Sequence, residues 1–272
     1  MDKQTILITG CSHGGIGYAT AKYLKTQGYR VFASARKQED VEKLTAEGFE
    51  TYLIDVLDDA QIDAALSDIL HKTGGTLDVL FNNAGFSQAG ALEDIPTKHV
   101  KEQFDTNFFA LHNLTCKALK IMRKQGHGKI IQHGSVLGLV SLKYRGAYNS
   151  SKYAIEGLVD TMRQELRGSN IHMTILNTGP VTSRIRENSM KTVKNIEFKN
   201  SVHLSDYKKL MSGNHKPVAF NEEAISVARI VEKILKAKNP APRYSITKFT
   251  SIAKLLKWTL SSRALERVLS RF

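Results

Sequence analysis

Cysteine is nearly missing from this chain: Cys11 and Cys116 are far apart and in no metal-ligand spacing. That excludes a disulfide scaffold and a cysteine-built metal centre, so no metal is expected, and it suits a reduced, cytoplasmic protein. Long apolar runs are missing too; none approaches the roughly 20 residues of a membrane-spanning helix. The opening "MDKQTILITG" leaves no room for an export signal ahead of the first apolar run. No repeat, low-complexity linker or break in composition divides the sequence. A single domain is expected, long enough to bury a large core.

Acidic residues are outnumbered, giving a net charge of +13, but the excess is local. From Lys233 onward ten Lys or Arg stand against one acid, Glu266, so this segment carries +9 and the rest of the chain only +4. Basic charge gathered at one end, rather than along a groove interleaved with aromatics, argues against a nucleic-acid partner.

What is present alternates. Short apolar runs, "QTILITG", "YRVFASAR", "FETYLIDV", "TLDVLFNNAG", "GKIIQHGS", "IHMTILNTGP" and "RYSIT", are separated by longer segments of helical period. Strands alternating with helices predict a parallel sheet covered on both faces. One helical stretch is expected from Thr97 to Gln125 and another from Asn221 to Lys238. A third starts at "AYNSSKYAIEGL", with Gly168 suited to its C-terminal cap. Residues 182 to 220 form a polar, basic insertion after the sixth strand.

Tyr-x-x-x-Lys occurs three times, as Tyr18/Lys22, Tyr148/Lys152 and Tyr244/Lys248, so the spacing alone selects none of them. Context does. Tyr18 and Lys22 lie inside the first helix, where packing and surface charge are the expected roles. Tyr244 and Lys248 are read as sharing a face of the last strand. Tyr148 and Lys152 follow the fifth strand, whose end carries Ser135 at the carboxyl edge of the sheet, where ligands bind in open α/β folds. His133 is expected to fill that strand and face away from the reaction.

"TGCSHGGIG", Thr9 to Gly17, joins the first strand to the first helix, where glycines let backbone approach a diphosphate and free N–H groups attract it. These motifs together resemble the short-chain dehydrogenase/reductases, over at least residues 4 to 183. The family's turn has three residues before Gly-x-Gly and this chain has one more, so either Gly14 or Gly15 can take the second glycine position. Gly15 is favoured because "GIG" then keeps its place at the helix start.

The resemblance implies an α/β, Rossmann-type doubly wound parallel sheet of about seven strands. It implies an NADP(H)-binding domain over 1–248, with a substrate lid at about 182–220 and a C-terminal helical extension over 249–272. Cofactor contacts are implied for Gly10, Ser12, Gly15, Ile16, Gly17, Asp55, Val56, Asn83, Ala84, Gly85, Tyr148, Lys152, Pro180, Val181 and Ser183, with Thr182 able to share the last role. Where an acid would hold the ribose 2′-OH of NAD, the second strand ends in Ala35 and Arg36, and a cation there suits the 2′-phosphate of NADP. Thr178 replaces the proline more common at its position.

The implied catalytic group is Asn107, Ser135, Tyr148 and Lys152. A phenol with a reference pKa near 10 is a sluggish proton donor at neutral pH unless a cation stabilises its anion, and Lys152 sits one helical turn away. The implied reaction is hydride transfer between NADP(H) and a small lipophilic carbonyl: a long-chain aldehyde, retinoid, steroid or acylated ketone. The nearest subgroup is the 17β-hydroxysteroid, retinol and acyldihydroxyacetone-phosphate reductase-like enzymes. A cofactor-binding regulatory protein without catalysis is the alternative. A homodimer or homotetramer is implied.

The last segment, 249–272, reads as a helix with Phe249, Ala253, Leu256 and Leu260 on one side and Arg263, Arg267 and Arg271 on the other. It either rests on an anionic membrane surface or packs over the cleft or a subunit interface. Ser261-Ser262 is expected to break it.

Overall fold

The computed structural model describes residues 4–212 and 219–270. Seven parallel strands form one sheet in the order β3-β2-β1-β4-β5-β6-β7. They are β1 Thr5–Ile8, β2 Arg30–Ala35, β3 Glu50–Leu53, β4 Val79–Asn82, β5 Gly128–His133, β6 Ile171–Thr178 and β7 Arg243–Ile246. The order in which successive strands are added reverses between β1 and β4, and the crevice above that switch point is where such sheets bind ligands.

Both faces of the sheet are buried, which is why every residue of β1 and β4 is buried instead of every second one. On one face lie α3 Asp59–Thr73, α5 Ala110–Gln125 and α6 Gly146–Glu165. They contribute Ile62, Leu66, Ile69, Leu114, Met122, Ile155 and Val159 to a core with Leu7, Leu80 and Ile130. On the other, α1 Ile16–Thr26 packs against α9 Ile225–Lys236, and Leu24, Val227, Val231 and Ile234 meet Ile6, Ile8 and Phe81. Leu44 of α2 Gln38–Ala46 completes that layer.

The expected helix from Thr97 to Gln125 is interrupted. It runs as α4 Thr97–Phe104, a π-turn at Asp105–Phe109, then α5. One residue too many per turn widens the helix where Asn107 sits, a local feature that apolar period does not encode. Helix α6 closes at Glu165 with Leu166 as its cap, so Gly168, with φ +81°, turns the chain beyond the cap.

The insertion after β6 contains α7 Ile185–Thr192 and α8 Leu204–Met211. The C-terminal segment contains two helices, α10 Lys248–Thr259 and α11 Ser262–Leu269, with Ser261 capping the second through Ala264 N–H at 3.4 Å. Phe249 and Ala253 of α10 pack with Leu265 and Leu269 of α11 against Val136 and Val140. Leu256 and Leu260 are half-buried, and Arg271 lies outside the described residues. Lys248 begins α10, so it shares no strand face with Tyr244, whose ring instead has Lys233 at 5.9 Å.

Candidate active site

The site draws on the ends of six strands, β1 to β6. After β1, Gly10 and Gly14 take left-handed backbone with φ +73° and +75°. Gly15 then caps α1 with no side chain, and no acid occupies the first turn, leaving the helix N-terminus open to an anion. Gly17 must lack a side chain, since a Cβ there would lie 2.5 Å from both the Gly10 carbonyl and the Asn83 amide. Ser12 closes the turn by accepting from Gly15 N–H at 3.1 Å.

Asn83 and Ala84, after β4, fix that turn from the other side. Both backbone N–H groups donate to Thr9 Oγ1 at 3.0 Å, and Asn83 Nδ2 donates to the carbonyls of Thr9 and Gly10. Gly85 lies against Asn107 Oδ1, where a Cβ would come within 3.0 Å. Arg36 is exposed just past β2 and makes no ion pair or hydrogen bond among the described residues. Asp55 and Val56 follow β3, half-buried, and the Asp55 carboxylate accepts from Leu57 N–H at 3.1 Å.

After β6, Pro180 and Val181 are held by Glu222, which donates to the Pro180 carbonyl and accepts from Thr182 N–H. The Thr182 hydroxyl is occupied by Glu223 at 3.1 Å and Asn221 at 2.7 Å. Ser183 is half-buried, and its hydroxyl donates within its own turn to the Val181 carbonyl at 3.5 Å. Arg184 then lies across the glycine turn: its backbone N–H donates to the Gly14 carbonyl, and its side chain packs on Gly14.

Tyr148, Lys152, Ser135 and Asn107 are all buried in this crevice. Ser135 follows β5, and its hydroxyl accepts from Leu137 N–H at 3.1 Å and donates to the Thr178 carbonyl at 3.4 Å. Lys152 Nζ lies 5.6 Å from the centre of the Tyr148 ring and donates to the His133 carbonyl at 2.6 Å. Burial pushes Tyr148 up, opposed by the neighbouring Ser135 hydroxyl and the positive charge of Arg145. Burial pushes Lys152 down to about 8, with Glu156 opposing. Asn107 holds Phe86 by two bonds, accepting its N–H at 3.1 Å and donating to its carbonyl at 3.0 Å, and it reaches Ser151 at 3.3 Å.

His133 corrects the expectation. It does not face away; its ring bridges Asn83 Oδ1 at 2.9 Å and Thr178 Oγ1 at 3.0 Å. Residues 133 and 135 are two apart, and period two puts them on one face rather than opposite ones. Because Asn83 Nδ2 already donates to the turn, its Oδ1 accepts, which assigns the proton to His133 Nδ1 and leaves Nε2 to accept from Thr178. Burial and the neighbouring Lys152 charge push His133 down to about 3, so it stays neutral. A chain of side chains thus ties the glycine turn to β4, β5 and β6. Thr178, standing where proline is more common, was the one sequence signal of it.

The other Tyr-x-x-x-Lys pair also has a place: Tyr18 donates to the Glu47 carboxylate at 2.9 Å, remote from Ser135 and Tyr148 in the sequence and bonded to neither. Arg145, three residues before Tyr148, went unremarked in the sequence because nothing there shows that it lacks a carboxylate.

Comparison with known proteins identifies the family. The family model described as short chain dehydrogenase matches residues 4–194. The uncharacterized oxidoreductase YbbO of Escherichia coli strain K12 is 34% identical over 270 residues, 98% of this chain and 94% of that one. The NADPH-dependent 1-acyldihydroxyacetone phosphate reductase of Schizosaccharomyces pombe is 31% identical over 216 residues, 79% of this chain and 73% of that one. A crystal structure of a short-chain dehydrogenase from Streptomyces avermitilis superposes with a TM-score of 0.80 at 24% identity, covering 98% of this chain and 96% of that one, which speaks to the fold. The chain belongs to the short chain dehydrogenases, a family of oxidoreductases.

Proposed function

We propose that this protein is an NADP(H)-dependent oxidoreductase that interconverts a lipophilic carbonyl and its alcohol. The observation that carries the reading is the burial of Ser135, Tyr148 and Lys152 together at the edge of β5, facing a glycine turn open to a diphosphate. Arg36, which has no carboxylate partner among the described residues, favours the 2′-phosphate of NADP(H) over the bare ribose of NAD. Gly10, Ser12, Gly15, Ile16 and Gly17 would hold the diphosphate, Asp55 and Val56 the adenine side, and Pro180, Val181 and Ser183 the nicotinamide side.

The cofactor supplies or accepts the hydride. In reduction, Tyr148 gives its phenolic proton to the carbonyl oxygen, and its raised pKa keeps that proton in place at neutral pH. Ser135 donates to the same oxygen as negative charge develops on it. Lys152, fixed by the His133 carbonyl, stabilises the phenolate that Tyr148 becomes. Asn107 positions water that returns the proton, a role that rests on the family resemblance.

The lipophilic substrate class is supported by the insertion after β6, whose Met190, Val193, Tyr207 and Leu210 form an apolar layer over Ala89 and Ala91. Tyr207 anchors α8 by donating to Asp94 at 2.8 Å and accepting from Ala91 N–H at 2.9 Å. These residues form the lid that selects the substrate. Homodimerisation would use α5 and α6, next to the exposed Phe109 of the π-turn.

No helix among the described residues is long and apolar enough to cross a membrane. Helix α10 nevertheless exposes Ile252, Leu255 and Trp258, three residues apart on one face, beside Lys254 and Lys257. That face would rest on an anionic bilayer, from which a lipophilic substrate could be drawn.

The test is oxidation of NADPH, with NADH in parallel, against long-chain aldehydes, retinal, steroid ketones and acyldihydroxyacetone phosphate. Turnover of one class with NADPH preferred is expected. Tight NADPH binding without turnover of any of them would move the reading to a catalytically silent cofactor-binding protein.

A further inference from the structure

Arg145 lies close enough to Tyr148 for its charge to act on the phenol, and Arg186 lies close enough to Arg145 to repel it. Arg145 immediately precedes α6 and is half-buried, its backbone clamped where Gly90 N–H donates to the Tyr144 carbonyl at 3.0 Å and Gly90 pairs with Arg145 as an isolated bridge. Arg186 lies in the first turn of α7, at the rim. The two charges repel each other, and burial pushes both guanidinium groups down.

Among the described residues neither arginine makes a salt bridge. Nearby acids are engaged elsewhere: Glu187 with Lys191 at 2.6 Å, Asp94 with Tyr207 and Ser201, Glu93 with His203, and Asp206 with Tyr144. Arg145 Nη1 has one partner, the Ser189 hydroxyl, which in turn donates to Ser87 Oγ at 3.3 Å. Both serines are buried. A half-buried guanidinium partnered only by a hydroxyl, with a second, exposed guanidinium repelling it, is favoured by the arrival of an anion, and a guanidinium presents its remaining N–H groups in the fork that matches phosphate.

We propose that Arg145, Arg186, Ser87 and Ser189 form a substrate subsite for a phosphate group carried on the same molecule as the carbonyl. The substrate would then be a lipophilic ketone or aldehyde phosphate. This rests on the oxidoreductase reading for what happens at Tyr148, but the anion site itself does not depend on turnover.

The first experiment is calorimetric titration of the NADPH-loaded protein with n-octyl phosphate, n-octanol and inorganic phosphate. Octyl phosphate is expected to bind more than about 10-fold tighter than octanol and than inorganic phosphate. Arg145→Gln and Arg186→Gln should each weaken it on the order of 10- to 100-fold, the usual worth of a charged hydrogen bond, and should leave octanol binding as it was. Equal binding of octyl phosphate and octanol would overturn the subsite. Inorganic phosphate binding as tightly as the ester would overturn its assignment to substrate. Variants that weaken NADPH in place of octyl phosphate would give the arginines to the cofactor and end the proposal.

The second experiment compares an acyldihydroxyacetone phosphate with the same molecule lacking phosphate. Arg145 also acts on Tyr148, so Arg145→Gln is expected to slow both substrates; the ratio of their kcat/KM values is the readout. Wild type should prefer the phosphate form by more than about 10-fold, and both variants should flatten that preference. Loss of rate on both substrates with the ratio unchanged counts against the subsite. If neither substrate turns over while octyl phosphate binding remains arginine-dependent, the reductase reading fails and the anion site stands.

Discussion

Lys152 donates its ammonium hydrogen bond to the backbone carbonyl of His133 at 2.6 Å, two residues before Ser135. The lysine on α6 is thereby tied to the strand that delivers the serine, with its Nζ 5.6 Å from the centre of the Tyr148 ring. Ser135, Tyr148 and Lys152 therefore form one unit rather than three separate contributions.

Tyr148→Phe should lower kcat by about 10²- to 10⁴-fold, the usual share of a general acid, and leave NADPH affinity largely intact. Fluorescence titration of NADPH alongside steady-state rates checks both halves. Unchanged turnover would remove Tyr148 from the chemistry. In the reductive direction kcat/KM should also fall as pH rises past about 8, the value to which burial pushes Lys152. The working form is the protonated lysine, present below that pH and lost above it. A flat profile to pH 10 would show that Lys152 does not carry its charge to the reaction.

Arg36→Ala should weaken NADPH by about 10-fold and NADH much less, because the lost partner is a phosphate that only NADPH carries. Dissociation constants for both cofactors on both proteins decide it. Equal losses would count against the phosphate contact.

His133 links stability to acid. Folded, it is pushed down to about 3; unfolded, it takes an ordinary value near 6.5. Between those values the unfolded chain binds a proton that the folded chain excludes, so stability falls as pH drops through this window. One such group contributes at most about 1.4 kcal/mol per pH unit. His133→Gln keeps a hydrogen-bonding side chain without the titration, so its denaturation free energy should decline less steeply from pH 6.5 to 4, even though the variant starts less stable. Parallel slopes for the two proteins would mean that His133 is not held neutral.

The strands and the motif residues were legible in the sequence because period, glycine spacing and the Tyr–Lys–Ser order are properties of the chain itself. Thr5–Ile8 through Arg243–Ile246 all fall within the apolar runs that predicted them. What was not legible depends on pairs far apart. The π-turn at Asn107 leaves no trace in apolar period, since a single extra residue per turn does not change which residues are apolar. The bridge from Asn83 through His133 to Thr178 joins residues 50 and 45 positions apart. Arg145 looks like any surface arginine until the packed insertion after β6 shows that, among the described residues, it makes no salt bridge. On the C-terminal segment, Phe249 and Ala253 face inward as the helical spacing suggested, but Ile252, Leu255 and Trp258 form a second apolar face that no single-stripe reading allows.

That second face yields a prediction with a built-in reporter. Trp258 is the only tryptophan in the chain and is 82% exposed, so intrinsic fluorescence reports on α10 alone. Mixing the protein with vesicles containing phosphatidylglycerol should shift its emission to the blue as the indole leaves water, and phosphatidylcholine vesicles should do so far less. A lysine near an anionic surface contributes about 1 kcal/mol, so Lys254→Gln and Lys257→Gln should each weaken vesicle binding by roughly 5-fold, and added salt should weaken it further. Leu255→Asp should remove it, because a carboxylate would have to enter the interface. Emission that stays red with both vesicle types would leave α10 facing water, and an oligomer-dependent shift in the absence of lipid would assign the face to a second copy of the chain.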